Sequence, residues 1–251
     1  MSFLSRLHTD LRRSRLTRRG ATQNPEAVAR GLHKEYPRME RVPLPESAGE
    51  LAHPYETLLE KRSSAGAFCA EGLSAAGWSA LLAGLRAFPE APRRRYPSGG
   101  ALFPVETYIL AFAPGDIRGV FHYHPKEHVL ERLWDIPQDI ESADFIRAEE
   151  ESNAGSVILF TCVWDRTSAK YGDFSYTLAL LEAGHMSQNI LLAATALDLV
   201  ARPLAGFDDE LAHRLLDIDE HVEQPILAIA VGKKSPDEIG GKSQYEPDTN
   251  K

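Results

Sequence analysis

The sequence predicts an α+β protein, on three observations. Helical and strand patterns follow one another without the regular βαβ alternation of a doubly wound sheet. Residues 174–199 carry the longest helical pattern, apolar nearly all round after Asn189, as a central or interface helix would be. Residues 156–164 form an almost continuous apolar run, the pattern of a strand buried on both faces. A chain of 251 residues can bury a large core as one generous domain or two tight ones.

The remaining elements follow in order. Residues 14–50, rich in Arg, Pro and polar side chains, read as an irregular wrapping arm. A helix is expected from Pro54 through Leu58 and Leu59 toward Ser63. Ser74 is placed to cap a helix bearing Trp78, Leu81, Leu82 and Leu85 at helical spacing. Residues 97–104 form a glycine-rich loop, and 105–113 alternate with aromatic and β-branched residues as a strand does. Residues 119–124 and 128–133 flank a Pro-Lys-Glu turn and predict a hairpin; 208–216 reads as a short helix and 225–231 as a last buried strand. The expected division is an N-terminal arm with a docking helix (1–50), one domain (51–235) and a polar tail (236–251).

Charge and cysteines exclude several functions. The net charge of −8 argues against nucleic-acid binding, which needs a basic face. Residues 1–45 are locally +6, with arginines that resemble a transit peptide or membrane-surface helix. Asp10 interrupts that run, and Phe3, Leu4, Leu7 and Leu11 read equally well as the docking helix. No apolar stretch approaches the roughly 18–20 residues of a membrane span, so a cytoplasmic protein without membrane partners is expected. Cys69 and Cys162 have neither zinc-site nor disulfide-framework spacing.

Other constellations give less. Glu182/His185 and Glu210/His213 have the Glu-x-x-His spacing of di-iron bundles, but the predicted strands deny the four-helix bundle that site needs. His122 and His124 share a strand face without an evident third metal ligand. Neither a dinucleotide fingerprint nor a P-loop is present. The loop Pro97-Ser98-Gly99-Gly100-Ala101-Leu102-Phe103-Pro104 would let a rigid backbone approach a flat ligand. Lys61-Arg62-Ser63, closing a predicted helix, is a reasonable phosphate grip.

In order, KRSS (61–64), PSGGALFPVE (97–106), KYG (170–172), LEAGHMSQNILLAA (181–194), PLAGFDD (203–209) and ILAIAVG (226–232) resemble the SagB-type dehydrogenases. These are the azoline-oxidising branch of the nitroreductase superfamily, and the resemblance covers about residues 30–235. It implies a nitroreductase-like fold with a mixed central sheet and surrounding helices, in an intertwined homodimer with FMN at the subunit interface. Lys61, Arg62 and Ser63 match the motif holding the FMN phosphate and ribityl chain. Pro97, Ser98, Gly99 and Ala101 match the loop reaching the flavin from the partner subunit. Ala205 and Gly206 match the backbone pair at the flavin N5/O4 edge, and Lys233, Lys234 or Lys242 would complete the phosphate grip. Lys170 and Tyr171 match the acid–base pair of azoline oxidation.

Two positions depart from that pattern. Ala65 replaces a second arginine of the phosphate motif, and Phe174 and Thr177 stand at arginine positions after KYG. The implied reaction removes a Cα proton and a Cβ hydride from a thiazoline or oxazoline in a modified ribosomal peptide, beside a cyclodehydratase. Free Tyr and Lys have pKa values of about 10 and 10.4, so burial or mutual proximity must prepare one of them as base. A general NAD(P)H-dependent nitro- or quinone reductase, or a flavin-free partner subunit, are the alternative expectations.

Overall fold

The structure, a computed structural model, describes residues 6–7, 10, 33–45, 53–65, 67–88, 90–91, 93–114, 117–146 and 154–235. Its elements in chain order are β1 (Glu40–Pro43), α1 (Tyr55–Lys61), β2 (Phe68–Cys69), α2 (Ala75–Leu82), β3 (Val105–Ala111), β4 (Gly119–His124) and β5 (Val129–Trp134). There follow α3 (Ser142–Phe145), β6 (Ser156–Val163), α4 (Asp165–Tyr171), α5 (Phe174–Ala196), β7 (Val200–Leu204), α6 (Asp209–Leu216) and β8 (Glu223–Lys234). The strands form one eight-stranded sheet in the order β1-β5-β4-β3-β6-β8-β2, with β7 also on β8. Every ladder is antiparallel, and an isolated parallel bridge between Ser64 and Ala201 makes the sheet mixed.

Alternation along β3 divides the core between the two sheet faces. Val105, Ile109 and Ala111 pack with Trp78, Leu81 and Leu82 of α2 and with Met186 and Ile190 of α5. Tyr108 and Leu110 point the other way, onto Phe145 of α3 and Leu211, Ala212 and Leu215 of α6. Each large apolar side chain buried this way contributes about 1.5–3 kcal/mol. The β6 backbone is buried along nearly its whole length, as its apolar run requires. Ser74 caps α2 by accepting the Gly77 amide at 3.2 Å, and Asp208 caps α6 by accepting the Leu211 amide at 2.8 Å.

One expectation needs correction. The arm is not irregular throughout, because Glu40–Pro43 adds an edge strand to β5, where Arg41 bonds Glu131 at 3.0 Å and pairs with Glu127. Lys170 and Tyr171 end the helix α4. On α5, Ile190, Leu191, Ala193 and Ala194 are buried as a central helix requires, and the exposed apolar side chains, Tyr176, Leu180 and Leu181, are in the first half. The expected docking helix and the polar tail, Lys242 included, fall almost wholly outside the described residues. Among those residues no helix is long and apolar enough to cross a membrane.

Candidate active site

The glycine-rich loop and the Lys-Tyr pair meet. Gly99–Ala101 turn as a single 3-10 turn, with Gly100 at φ 68°. A Cβ on Gly100 would lie 2.5 Å from Tyr171 Oη and 2.9 Å from Lys170 Nζ, so only glycine lets both side chains reach this backbone. The Lys170 ammonium stands 5.2 Å from the Tyr171 ring centroid, within cation–π range. Lys170 is exposed and Tyr171 half-buried. Ala101 and Phe103 also hold positive φ, 55° and 47°, at a typical strain of about 1–3 kcal/mol each. Ser98 Oγ accepts the Phe103 amide at 2.9 Å and helps to hold that turn. Gly99 faces Leu178, near the start of α5, and Pro97 is exposed.

A second group of predicted residues lines a cavity of about 260 Å³ at the other end of α5. Lys61, Ser63 and Lys234 surround it with Thr195 and Asp198. Two cations and the Ser63 hydroxyl suit a phosphate, whereas Thr195 Oγ1 donates to the Leu191 carbonyl at 2.8 Å, and Asp198 is the one acid in the lining. Of the two tail lysines described, Lys234 faces the cavity, while Lys233 is paired with Glu71. Arg62 is the residue that closes α1, and it is not among the cavity's lining. Ala65 is buried, and the Arg202 guanidinium from β7 reaches its carbonyl at 3.1 Å. Ala205 and Gly206 follow β7 on the surface, and a Cβ on Gly206 would meet nothing within 4 Å. From Ala201 at the cavity to Gly206 is five residues, about 16 Å of extended chain.

The two groups are separated within one chain. The loop touches Leu178 and the cavity touches Leu191, thirteen residues or about 20 Å apart along α5.

Beside the loop lies a charged network that sequence reasoning missed. Arg166 of α4, 8% exposed, donates from Nη1 to the Phe103 carbonyl at 2.9 Å and from Nη2 to Glu106 Oε1 at 2.5 Å. Glu106 Oε1 also accepts the Lys34 amide at 2.8 Å, and Glu106 Oε2 faces His122 Nε2 at 3.1 Å. Burial opposes a charged Glu106, yet Arg166 and His122 outweigh it and hold the carboxyl well below the usual range. Burial likewise opposes a charged His122, but Glu106 and Glu131 (2.9 Å from Nδ1) raise its pKa. Glu182 is different. It is 1% exposed, and neither carboxylate oxygen reaches a hydrogen-bond partner, although Ser98 and the Val105 amide face it. Burial pushes its pKa up to about 7.

The metal readings find no support. Glu182 is buried while His185 is exposed, and His213 Nδ1 is engaged with the Asp209 carbonyl at 2.7 Å, so neither Glu-x-x-His pair converges on an ion. His33, Glu35 and His124 bring ligand-type atoms within 4.8 Å of one another. However, His124 Nδ1 accepts the Glu127 amide at 3.1 Å, so the neutral ring carries its proton on Nε2, the atom facing Glu35 at 3.6 Å. That nitrogen then has no lone pair for a metal.

A family model described as Nitroreductase family matches residues 59–233. The chain is 30% identical over 182 residues to MJ1384 of Methanocaldococcus jannaschii, which carries a nitroreductase name, covering 71% of this chain and 90% of that one. It is 26% identical over 159 residues to the microcin B17-processing protein McbC of Escherichia coli, covering 59% of this chain but only 57% of that relative. In three dimensions it matches a chain of the E. coli microcin synthetase McbBCD complex with truncated pro-MccB17 bound, at TM-score 0.61 and 22% identity, over 94% and 98% of the two chains. A Desulfovibrio desulfuricans nitroreductase-type structure in complex with FMN matches at TM-score 0.51 and 23% identity, over 78% and 92%.

Proposed function

Because the chain belongs to the nitroreductase family, we propose that it is an FMN-dependent dehydrogenase that oxidises thiazoline or oxazoline rings of a modified ribosomal peptide to thiazole or oxazole. One observation carries the reading: Lys170 and Tyr171 stand together against Gly100 of the PSGGALFPVE loop. An idle pair has no need of that backbone approach. The likeness to McbC, a microcin-processing protein, supports a peptide as substrate, and a cyclodehydratase as the partner that supplies azolines.

FMN fits the residues present. Lys61, Ser63 and Lys234 would hold its phosphate, the Arg62 cation stands beside them in sequence, and the open surface at Ala205 and Gly206 would take the ring edge. When bound, FMN supplies the acceptor for the hydride leaving Cβ. Lys170 Nζ and Tyr171 Oη are the groups beside the glycine-rich loop that would take the Cα proton. Pro97, Ser98, Gly99 and Ala101 shape the wall against which the ring would lie.

The split of the site along α5 supports a homodimer, in which one chain's loop and Lys-Tyr pair complete the phosphate cavity of the other. Exposed Tyr176, Leu180 and Leu181 give that assembly an apolar face. A cytoplasmic location is part of the same proposal. A general nitro- or quinone reductase is the second reading. It is favoured by Phe174, which is buried where azoline oxidisers have arginine, and by the match to 90% of MJ1384.

Replacing Tyr171 by Phe or Lys170 by Ala separates the two. Azoline oxidation should fall by about 10²–10⁴-fold with FMN retained, while quinone reduction by NADH changes little. Equal loss of both activities, or loss of FMN, would count against the acid–base role. A wild type that reduces nitroaromatics with NADH but oxidises no azoline peptide is a general reductase.

A further inference from the structure

Lys170 and Tyr171 end a helix of seven residues whose N-cap residue, Trp164, makes no side-chain capping bond. A helix so short has little stability of its own, and its direction must be fixed from outside. Arg166 lies one turn before Lys170, so the two share a helix face. Its guanidinium binds the Phe103 carbonyl and the Glu106 carboxylate, at 2.9 and 2.5 Å. Phe103 is thereby gripped at both ends of the residue, its amide by Ser98 Oγ and its carbonyl by Arg166, while holding a positive φ. Gly100, the backbone against which the pair stands, is three residues upstream. Glu106 is in turn fixed by the Lys34 amide and His122, so Arg166 is anchored to the centre of the sheet.

We propose that Arg166 is a positioning residue: by gripping the Phe103 carbonyl and the Glu106 carboxylate it registers α4 on the glycine-rich loop and so sets Lys170 and Tyr171 against Gly100. The planar two-pronged fork of arginine suits this double grip, and a lysine can replace only one prong. The inference rests on the acid–base reading of the pair for its effect on rate, but not for its effect on geometry.

The test uses full-length, FMN-loaded protein with 3-fluorotyrosine at position 171. The fluorine resonance and the azoline kinetics are compared in wild type, Arg166→Lys, Arg166→Met and Arg166→Met/Glu106→Gln. The double variant removes both buried charges and answers for Arg166→Met if that protein does not fold. Loss of the grip should move the resonance and lower kcat about 10–100-fold, with KM within about threefold, and lysine should restore part of it. In a Tyr171→Phe background the same loss of Arg166 should have almost no further effect, because its role passes through the pair. An unmoved resonance, or an undiminished loss in that background, would overturn the proposal. A moved resonance in a protein that oxidises no azoline would uphold the positioning role and sink the acid–base reading alone.

Discussion

At the scale of single residues, charge and burial decide what each group can do. Glu106 and Glu182 are both 1% exposed, yet their protonation is driven in opposite directions. Glu106 has Arg166 and His122 beside it, and Glu182 has no partner that meets hydrogen-bond geometry. The Glu182 carboxyl, raised from 4.5 to about 7, keeps its proton in the folded chain over a range in which the unfolded chain has released it. Its contribution to stability is fully present below pH 4.5, falls as pH rises, and is lost above about pH 7. Glu182→Gln keeps the shape without the ionisation. Urea titrations at pH 5 and pH 8 should show wild type losing about 2–3 kcal/mol relative to that variant. Parallel pH profiles would mean that Glu182 is solvated or paired in solution. Of the three tail lysines that the resemblance offers, strand β8 presents Lys234 to the cavity while Lys233 meets Glu71, and Lys242 lies outside the described residues.

At the scale of elements, the glycine-rich loop is the part on whose geometry the proposed chemistry depends. Gly100→Ala adds a methyl group between the loop and the ends of Lys170 and Tyr171, at a positive φ. The strain itself is about 1–2 kcal/mol, a shift of a few degrees in melting temperature for a chain this long. Displacement of the pair should lower azoline oxidation about 10–100-fold, and undiminished turnover would show that the close approach is incidental. This loop and the pair were legible in the sequence as motifs, but their contact was not, because 70 residues separate Gly100 from Lys170. Elements with a strong pattern were legible: β6 from its apolar run, α2 from Ser74, and α5 from its length. Elements without a pattern were missed. α3 is a single turn of four residues, and α4 buries only Thr167, so neither shows an apolar period. β1 is four residues of mixed polarity on a sheet edge. Arg166 stayed hidden for the same reason, as one arginine in a polar helix. The network of Glu106, His122 and Glu131 becomes visible only through the register of β3, β4 and β5.

At the scale of the molecule, the proposed site needs two chains. One chain holds the Lys61–Lys234 cavity at one end of α5 and the Lys-Tyr pair at the other, and its exposed Leu180 and Leu181 lie between. Leu180→Glu with Leu181→Glu should therefore give a monomer by sedimentation that also loses FMN, whereas a flavin-loaded monomer would show that one chain suffices. Complementation shows whether the grip of one chain works with the Lys-Tyr pair of the other. Lys61→Ala/Lys234→Ala chains lack the phosphate grip, Tyr171→Phe chains lack the acid–base pair, and neither homodimer should oxidise an azoline peptide. Mixed dimers contain one site built from an intact grip and an intact pair on different chains. Co-expressing the two variants should restore about a quarter of wild-type azoline oxidation, the value for random pairing of symmetric subunits. If the co-expressed protein forms mixed dimers and remains as inactive as either variant alone, grip and pair do not meet across an interface, and the account is wrong.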